Sequence, residues 1–167
     1  MSLQGDIELD SPLDPAFVNF LLAEFPLDVQ GPLGLKHWRR TARNAKWIHQ
    51  NESRTDLEVM IYFAYLADSQ KEFLGKDPHH GRRAAQLAHR VHGEYGFNLS
   101  PMRLKILCDA LEGHNQKREP KNLTEAACWD AVRLDTLHHG KHIMPKYIHL
   151  EASRVLIPKV TERYPDV

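Results

Sequence analysis

Histidine and aspartate side chains recur beside apolar segments of this chain, where imidazole and carboxylate groups could bind a metal ion together. The residues concerned are His37, Asp68, His80, His114 and Asp130. Imidazole combined with carboxylate suits zinc, manganese, iron and similar divalent metals. Such a metal can activate a water molecule and neutralise a phosphoryl group. The five residues therefore point to a metal centre with hydrolytic chemistry.

Asp68 poses the sharpest question, because it directly follows the apolar segment 59–67. An unpaired carboxylate is very costly to bury. The helix macrodipole also disfavours a negative charge at the carboxyl end of a helix. We therefore expect Asp68 to be paired, hydrogen-bonded or bound to a metal.

Two of the five positions have rivals nearby. Asp130 shares an apolar helix face, but it could instead form an ion pair with Arg133 three residues on. Asp135 is the second choice for the same ligand position. His79 could take the place of His80.

The segments that carry these side chains are predicted to be helices, because apolar residues recur at helical spacing along the chain. Three aspartate–proline or serine–proline pairs are typical of helix starts: Asp14-Pro15, Asp77-Pro78 and Ser100-Pro101. The segment 59–67 is apolar on all sides, which indicates a central helix surrounded by the others. No strand alternation or hairpin dipeptide is evident. The prediction is a single all-α domain over residues 1–167, a helical bundle with a central apolar helix.

The balance of charged residues and the lengths of the apolar runs limit the kinds of partner that this chain can bind. Among 167 residues, 22 basic side chains balance 22 acidic ones, and 42% are apolar. This balance argues against a broad nucleic-acid-binding surface and against a polybasic membrane anchor. No apolar run reaches the length of about 20 residues that a transmembrane helix needs. Cys108 and Cys128 fall inside helical patterns and are expected to be buried thiols, so we predict a soluble, cytoplasmic protein.

Five stretches of sequence resemble the HD-domain superfamily of metal-dependent phosphohydrolases. They are "GLKHWRRTARNA", "FAYLADSQ", "DPHHGRRAA", "LEGHN" and "CWDAVRLD", and they span residues 34–137. The family's metal residues are a histidine, a His-Asp pair, two further histidines in binuclear members, and an aspartate. The resemblance implies an HD-type fold. It implies the metal ligands His37, Asp68, His80, His114 and Asp130, with Asp68, His80 and His114 as catalytic residues.

The chain departs from the family's pattern at two positions. Where the family has His-Asp, this chain has Ala67-Asp68, and Val132 stands where relatives often read "DADRLD". Alanine has no donor atom, so a mononuclear site would fall from four protein ligands to three. Three ligands and a water still form an open catalytic site in zinc enzymes. His79 is a conceivable substitute for the absent histidine.

The resemblance also implies a substrate class, namely a small-molecule phosphate ester or a nucleotide. Its cofactor would be a divalent metal such as Mn, Zn, Fe, Ni or Mg. Lys71, Arg82 and Arg83 are candidates for phosphate capture, with a solvated surface as the competing interpretation. One alternative function is a catalytically degenerate protein that binds a ligand or partner without turnover, which Ala67 favours. Another is an iron-dependent oxygenase on the same helical scaffold.

Overall fold

Helices form all of the regular structure in residues 13–163, the part of the chain that the computed structural model describes. They are α1 (Pro15–Glu24), α2 (Leu35–Asn51), α3 (Leu57–Leu66), α4 (His80–Val91), α5 (Pro101–Gly113), α6 (Leu123–Arg133), α7 (Glu151–Arg154) and α8 (Ile157–Arg163), with 3-10 turns at Thr136–His139 and Pro145–Tyr147. No strand occurs in this range, so the predicted all-α class is confirmed. The predicted domain limits, 1–167, include residues 1–12 and 164–167, which lie outside the described part.

Helix α3 is the centre of the bundle. It packs against α1, α2, α5 and α6, and every side chain from Val59 to Leu66 is buried. Its start is fixed by Asp56, whose carboxylate accepts a hydrogen bond from the Val59 amide (3.2 Å). Arg103 on α5 donates to both oxygens of the same carboxylate (2.6 and 2.8 Å). A helix that is apolar on all sides must be covered on all sides, and the predicted central helix is confirmed.

Two of the three predicted proline starts are confirmed. Helix α1 begins at Pro15, with the Asp14 carboxylate accepting from the Ala16 amide (2.8 Å), and α5 begins at Pro101. Helix α4 instead begins at His80, because the carboxylate of Asp77 closes the loop before the helix and does not cap it.

Two further expectations concern burial and membranes. Cys108 and Cys128 are both free and both buried, as predicted. Between residues 13 and 163, no helix has the length and apolar character needed to cross a membrane.

Candidate metal centre

Four of the five predicted metal residues meet beside the carboxyl end of α3. The Oδ2 atom of Asp68 lies 2.7 Å from Nε2 of His37. Its Oδ1 atom lies 3.2 Å from Nε2 of His80 and 3.8 Å from Nε2 of His114. His37 comes from the first turn of α2, His80 from the start of α4 and His114 from the end of α5. Four separate elements thus converge on one buried carboxylate.

Asp68, His80 and His114, hereafter the ligand trio, have donor atoms within 4.8 Å of one another. The Nδ1 atom of His80 donates to the carbonyl oxygen of Asp77 (2.5 Å), and that of His114 donates to the carbonyl oxygen of Leu111 (2.7 Å). These bonds engage Nδ1 of each ring and direct each Nε2 toward Asp68. The two Nε2 atoms face each other at 2.9 Å. At this distance the two Nε2 atoms share either a proton or a metal ion, and together with Oδ1 of Asp68 they form a donor set that fits a divalent metal.

A glycine allows the two histidines to approach. Gly81 follows His80 at the start of α4, and a Cβ atom there would overlap the carbonyl oxygen of Leu111 on α5. The same Cβ atom would also lie 3.3 Å from the ring of His114. The absence of a side chain at residue 81 therefore lets α4 and α5 pack closely enough to bring the imidazoles together.

An ion pair anchors the loop between Asp68 and His80. The guanidinium of Arg83 donates to the carboxylate of Asp77 (2.5 Å) and to the carbonyl oxygen of Gln70 (3.0 and 3.2 Å). The Asp77 carboxylate also accepts from the Glu72 amide (3.0 Å). Because the Asp77 carbonyl orients the ring of His80, these contacts position that ring. Arg83, predicted to capture phosphate, is engaged within the protein.

On the other side of Asp68, His37 lies between two carboxylates. Nδ1 of His37 lies 2.6 Å from Oδ2 of Asp135, so both ring nitrogens of His37 face a carboxylate. Arg40 donates to both oxygens of Asp135, from Nε (2.7 Å) and from Nη2 (3.0 Å). His139 approaches Asp135 Oδ2 at 3.7 Å. Asp68, His37, Asp135 and Arg40 form a row of alternating charges, hereafter the charge chain.

The electrostatics of the charge chain follow from these contacts. Burial lowers the pKa of His37, but its hydrogen bonds to Asp135 and Asp68 outweigh burial and raise the pKa to about 9. Burial would raise the pKa of Asp135, yet the nearby His139 and the hydrogen bonds from His37 and Arg40 hold the pKa well below its usual range. The pKa of Asp68 is likewise held low against burial by its three histidines.

Asp130 does not join the other four predicted ligands, so the prediction that it binds the same metal is corrected. Its carboxylate accepts from the amides of His149 (2.8 Å) and Leu150 (2.9 Å), where the chain returns to α6 ahead of α7. Burial raises the pKa of this carboxyl group. Asp135, the second choice, lies beside His37 in its place. Asp130 lies on α6, whereas Asp135 lies two residues past its end, just before the 3-10 turn Thr136–His139, so the two aspartates face different neighbours.

The remaining predicted residues lie around the cluster. His79 is exposed and precedes α4, whereas His80 is buried, so His80 is the histidine that reaches the cluster. The Lys71 ammonium donates to the carbonyl oxygen of Gly75 (3.0 Å). Arg82 is exposed on α4, with Nε 3.9 Å from a carboxylate oxygen of Glu112.

The two positions that depart from the HD pattern contribute apolar packing. Ala67 is 1% exposed and belongs to the core, and Val132 is partly buried against it. Neither side chain carries a donor atom toward the cluster.

Two residues of the cluster, Arg40 and His139, are not among the predicted site residues. Arg40 lies three residues after His37, about one turn along the same helix face. His139 lies four residues after Asp135, in the 3-10 turn that follows α6. The sequence shows the spacing of each pair along its own segment, but it does not show that the two pairs meet.

Comparisons with known proteins bear on the fold. No family model matches the sequence, and no curated protein matches it. Among solved structures, the chain is similar to a predicted HD superfamily hydrolase from an uncultured Thermotogales bacterium, solved at 1.45 Å. The match has 21% identity and a TM-score of 0.69, and it covers 99% of this chain and 94% of that one. The chain therefore has the all-helical fold of that HD superfamily protein.

Proposed function

We propose that this protein is a metal-dependent phosphohydrolase that works with one divalent cation held by the ligand trio. The observation that carries the proposal is the pair of imidazole Nε2 atoms facing each other at 2.9 Å beside Oδ1 of Asp68. Two imidazoles and one carboxylate form a three-residue donor set of the kind found in catalytic zinc sites. The likeness in fold to a predicted HD superfamily hydrolase supports the same class of reaction.

The side chains around the trio would serve the reaction in different ways. When bound, a divalent cation supplies positive charge to a phosphoryl group and lowers the pKa of a water molecule. The main-chain carbonyls of Asp77 and Leu111 keep the two imidazoles in the orientation that presents Nε2 to the cation. Arg82, two residues after His80 and exposed, and Lys71 are the cations that we assign to the substrate phosphate.

We further propose a small phosphate ester or a nucleotide as the substrate. The trio is largely enclosed, with the Asp68 and His80 side chains 11% and 8% exposed, so only a small group such as a phosphoryl can approach it. We place this activity in the cytoplasm, in keeping with two free thiols at Cys108 and Cys128.

The experiment is a reconstitution on protein purified without an affinity tag. Resident metal is removed with a chelator, and Mn, Zn, Fe, Ni or Mg is added back separately. Phosphate release is then measured from p-nitrophenyl phosphate and from nucleoside mono-, di- and triphosphates. We expect activity with at least one metal and its loss in His80→Ala. A folded protein that binds metal and releases no phosphate from any of these compounds would contradict turnover.

The second candidate function is ligand binding without turnover, and Ala67 is the observation that favours it. A buried alanine gives the cluster one donor fewer than the HD pattern requires. A ligand that raises the melting temperature of the metal-loaded protein and remains chemically unchanged would support this function over hydrolysis.

A further inference from the structure

At the first metal position of the HD pattern, the donor atoms of His37, Asp135 and His139 lie within 4.8 Å of one another, but those of His37 and Asp135 are already engaged within the protein. That position would be formed by His37, residue 67, Asp68 and a final aspartate. Ala67 offers no donor atom and is buried in the core. His37 lies 2.6 Å from Asp135 and 2.7 Å from Asp68, donating to one carboxylate from each ring nitrogen. Each ring nitrogen is therefore already paired with a carboxylate oxygen, and neither is left for a metal.

The carboxylate on the far side of His37 is also fully engaged. Arg40 donates to Oδ1 and Oδ2 of Asp135, and His37 donates to Oδ2 as well. His37 and Asp135 are 3% and 1% exposed, so neither charge is compensated by bulk water. Along the charge chain, two carboxylates alternate with the His37 imidazole and the Arg40 guanidinium. Each buried carboxylate thus has a hydrogen-bonded nitrogen partner within the protein, without any added ion.

Asp68 links the charge chain to the ligand trio through different oxygen atoms. Its Oδ2 atom accepts from His37, while Oδ1 faces His80 and His114. The trio can therefore bind a cation through Oδ1 while the charge chain stays intact.

We infer that the charge chain takes the place of a first metal ion, so that the protein binds one divalent cation per chain, in the ligand trio. This inference rests on the proposed function, because it presupposes that the trio binds metal. It assigns His37 and Arg40 to positioning Asp68, and it excludes His37 from the metal ligands.

The test is a metal count on the full chain. Metal-free protein is titrated with Mn²⁺, Co²⁺ or Zn²⁺ by calorimetry, and bound metal is counted by mass spectrometry after desalting. The variants are His80→Ala in the trio, His37→Gln in the charge chain, and His89→Gln as a control at an exposed histidine on α4. We expect one metal in the wild type, one in His37→Gln and His89→Gln, and at least a 100-fold loss of affinity in His80→Ala.

The outcomes separate this inference from the proposed function. Two metals per wild-type chain would overturn the inference and leave the hydrolase proposal standing. A single bound metal that is lost in His37→Gln and kept in His80→Ala would also overturn the inference and leave the hydrolase proposal standing. No metal in the wild type, with any of the three ions, would overturn both.

A second measurement needs no variant, in case His37→Gln fails to fold. Ring ¹⁵N resonances of the histidines are followed during a Zn²⁺ titration of the wild type. We expect the Nε2 signals of His80 and His114 to shift by coordination while both ring nitrogens of His37 keep their positions. A coordination shift at either His37 nitrogen would overturn the inference.

Discussion

The two halves of the cluster share Asp68 and both combine histidine with aspartate, yet they are suited to opposite tasks. In the ligand trio, His80 and His114 donate from Nδ1 to main-chain carbonyls, which leaves Nε2 free to bind a cation. In the charge chain, His37 faces a carboxylate from each ring nitrogen and behaves as a cation itself. The partner of the second ring nitrogen thus decides whether a buried histidine serves as a ligand or as a charge.

The charge chain can be broken most severely at Asp135. Asp135→Ala leaves Arg40 and His37 without their shared carboxylate, and removing one partner from a buried set of charges costs about 3–5 kcal/mol. Urea unfolding of the metal-free protein measures the loss. The control is Asp109→Ala on α5, where a half-buried carboxylate pairs with Lys105 and Lys121. A partly exposed set of this kind should contribute at most about 1 kcal/mol, and equal losses in the two variants would contradict the buried charge chain.

Raising the pH should weaken the charge chain without a mutation. The pKa of His37 is about 9 in the folded protein, against 6.5 for the free side chain. Because the folded-state value is the higher one, the stabilisation is complete below pH 6.5 and is lost as the pH rises through 9. A pKa shift of this size corresponds to about 3 kcal/mol of unfolding free energy that depends on pH. Unfolding free energies of the metal-free protein from pH 6 to 10 measure it, and a wild-type slope in this window no steeper than that of His37→Gln would refute the assignment.

The ligand trio should be sensitive to the spacing of α4 and α5. In Gly81→Ala the new methyl group overlaps the Leu111 carbonyl oxygen, so the helices must separate and His80 must move from His114. Such overpacking costs about 1–3 kcal/mol, and metal affinity should fall with it. Gly75→Ala is the matched control, because a Cβ atom there meets nothing within 4 Å. Unchanged metal affinity in Gly81→Ala would show that this close approach does not set the trio's geometry.

A smaller effect on metal affinity is expected from breaking the ion pair between Arg83 and Asp77, which positions the ring of His80. Arg83→Met removes the ion pair with Asp77 and loosens the carbonyl that orients the imidazole. Loss of such an outer partner lowers metal affinity about 10–100-fold. The neighbouring Arg82→Met removes the same charge from an exposed side chain 3.9 Å from Glu112, and it should leave affinity within about twofold. Calorimetric titration of both variants with the same metal separates positioning from a general loss of positive charge.

Much of the fold could be read from the sequence because its signals are local. Apolar spacing and proline starts depend on residues within a turn or two of each other, and they placed the central helix that ends beside Asp68. The same spacing showed that His37, His80 and His114 lie at helix ends next to apolar faces, and these three residues do meet Asp68 in the structure.

The division of roles within the cluster depended on tertiary structure. Asp130 lies on α6 and Asp135 lies two residues past its end. Asp130 was the predicted last ligand and Asp135 the second choice, yet Asp135 is the one that contacts His37. That contact joins residues 98 positions apart, and the Arg40 contact with Asp135 joins residues 95 apart. Helical periodicity gives the direction of a side chain relative to its own helix. The rotation of each helix against its neighbours, set by the packing of the whole core, decides which carboxylate meets which cation.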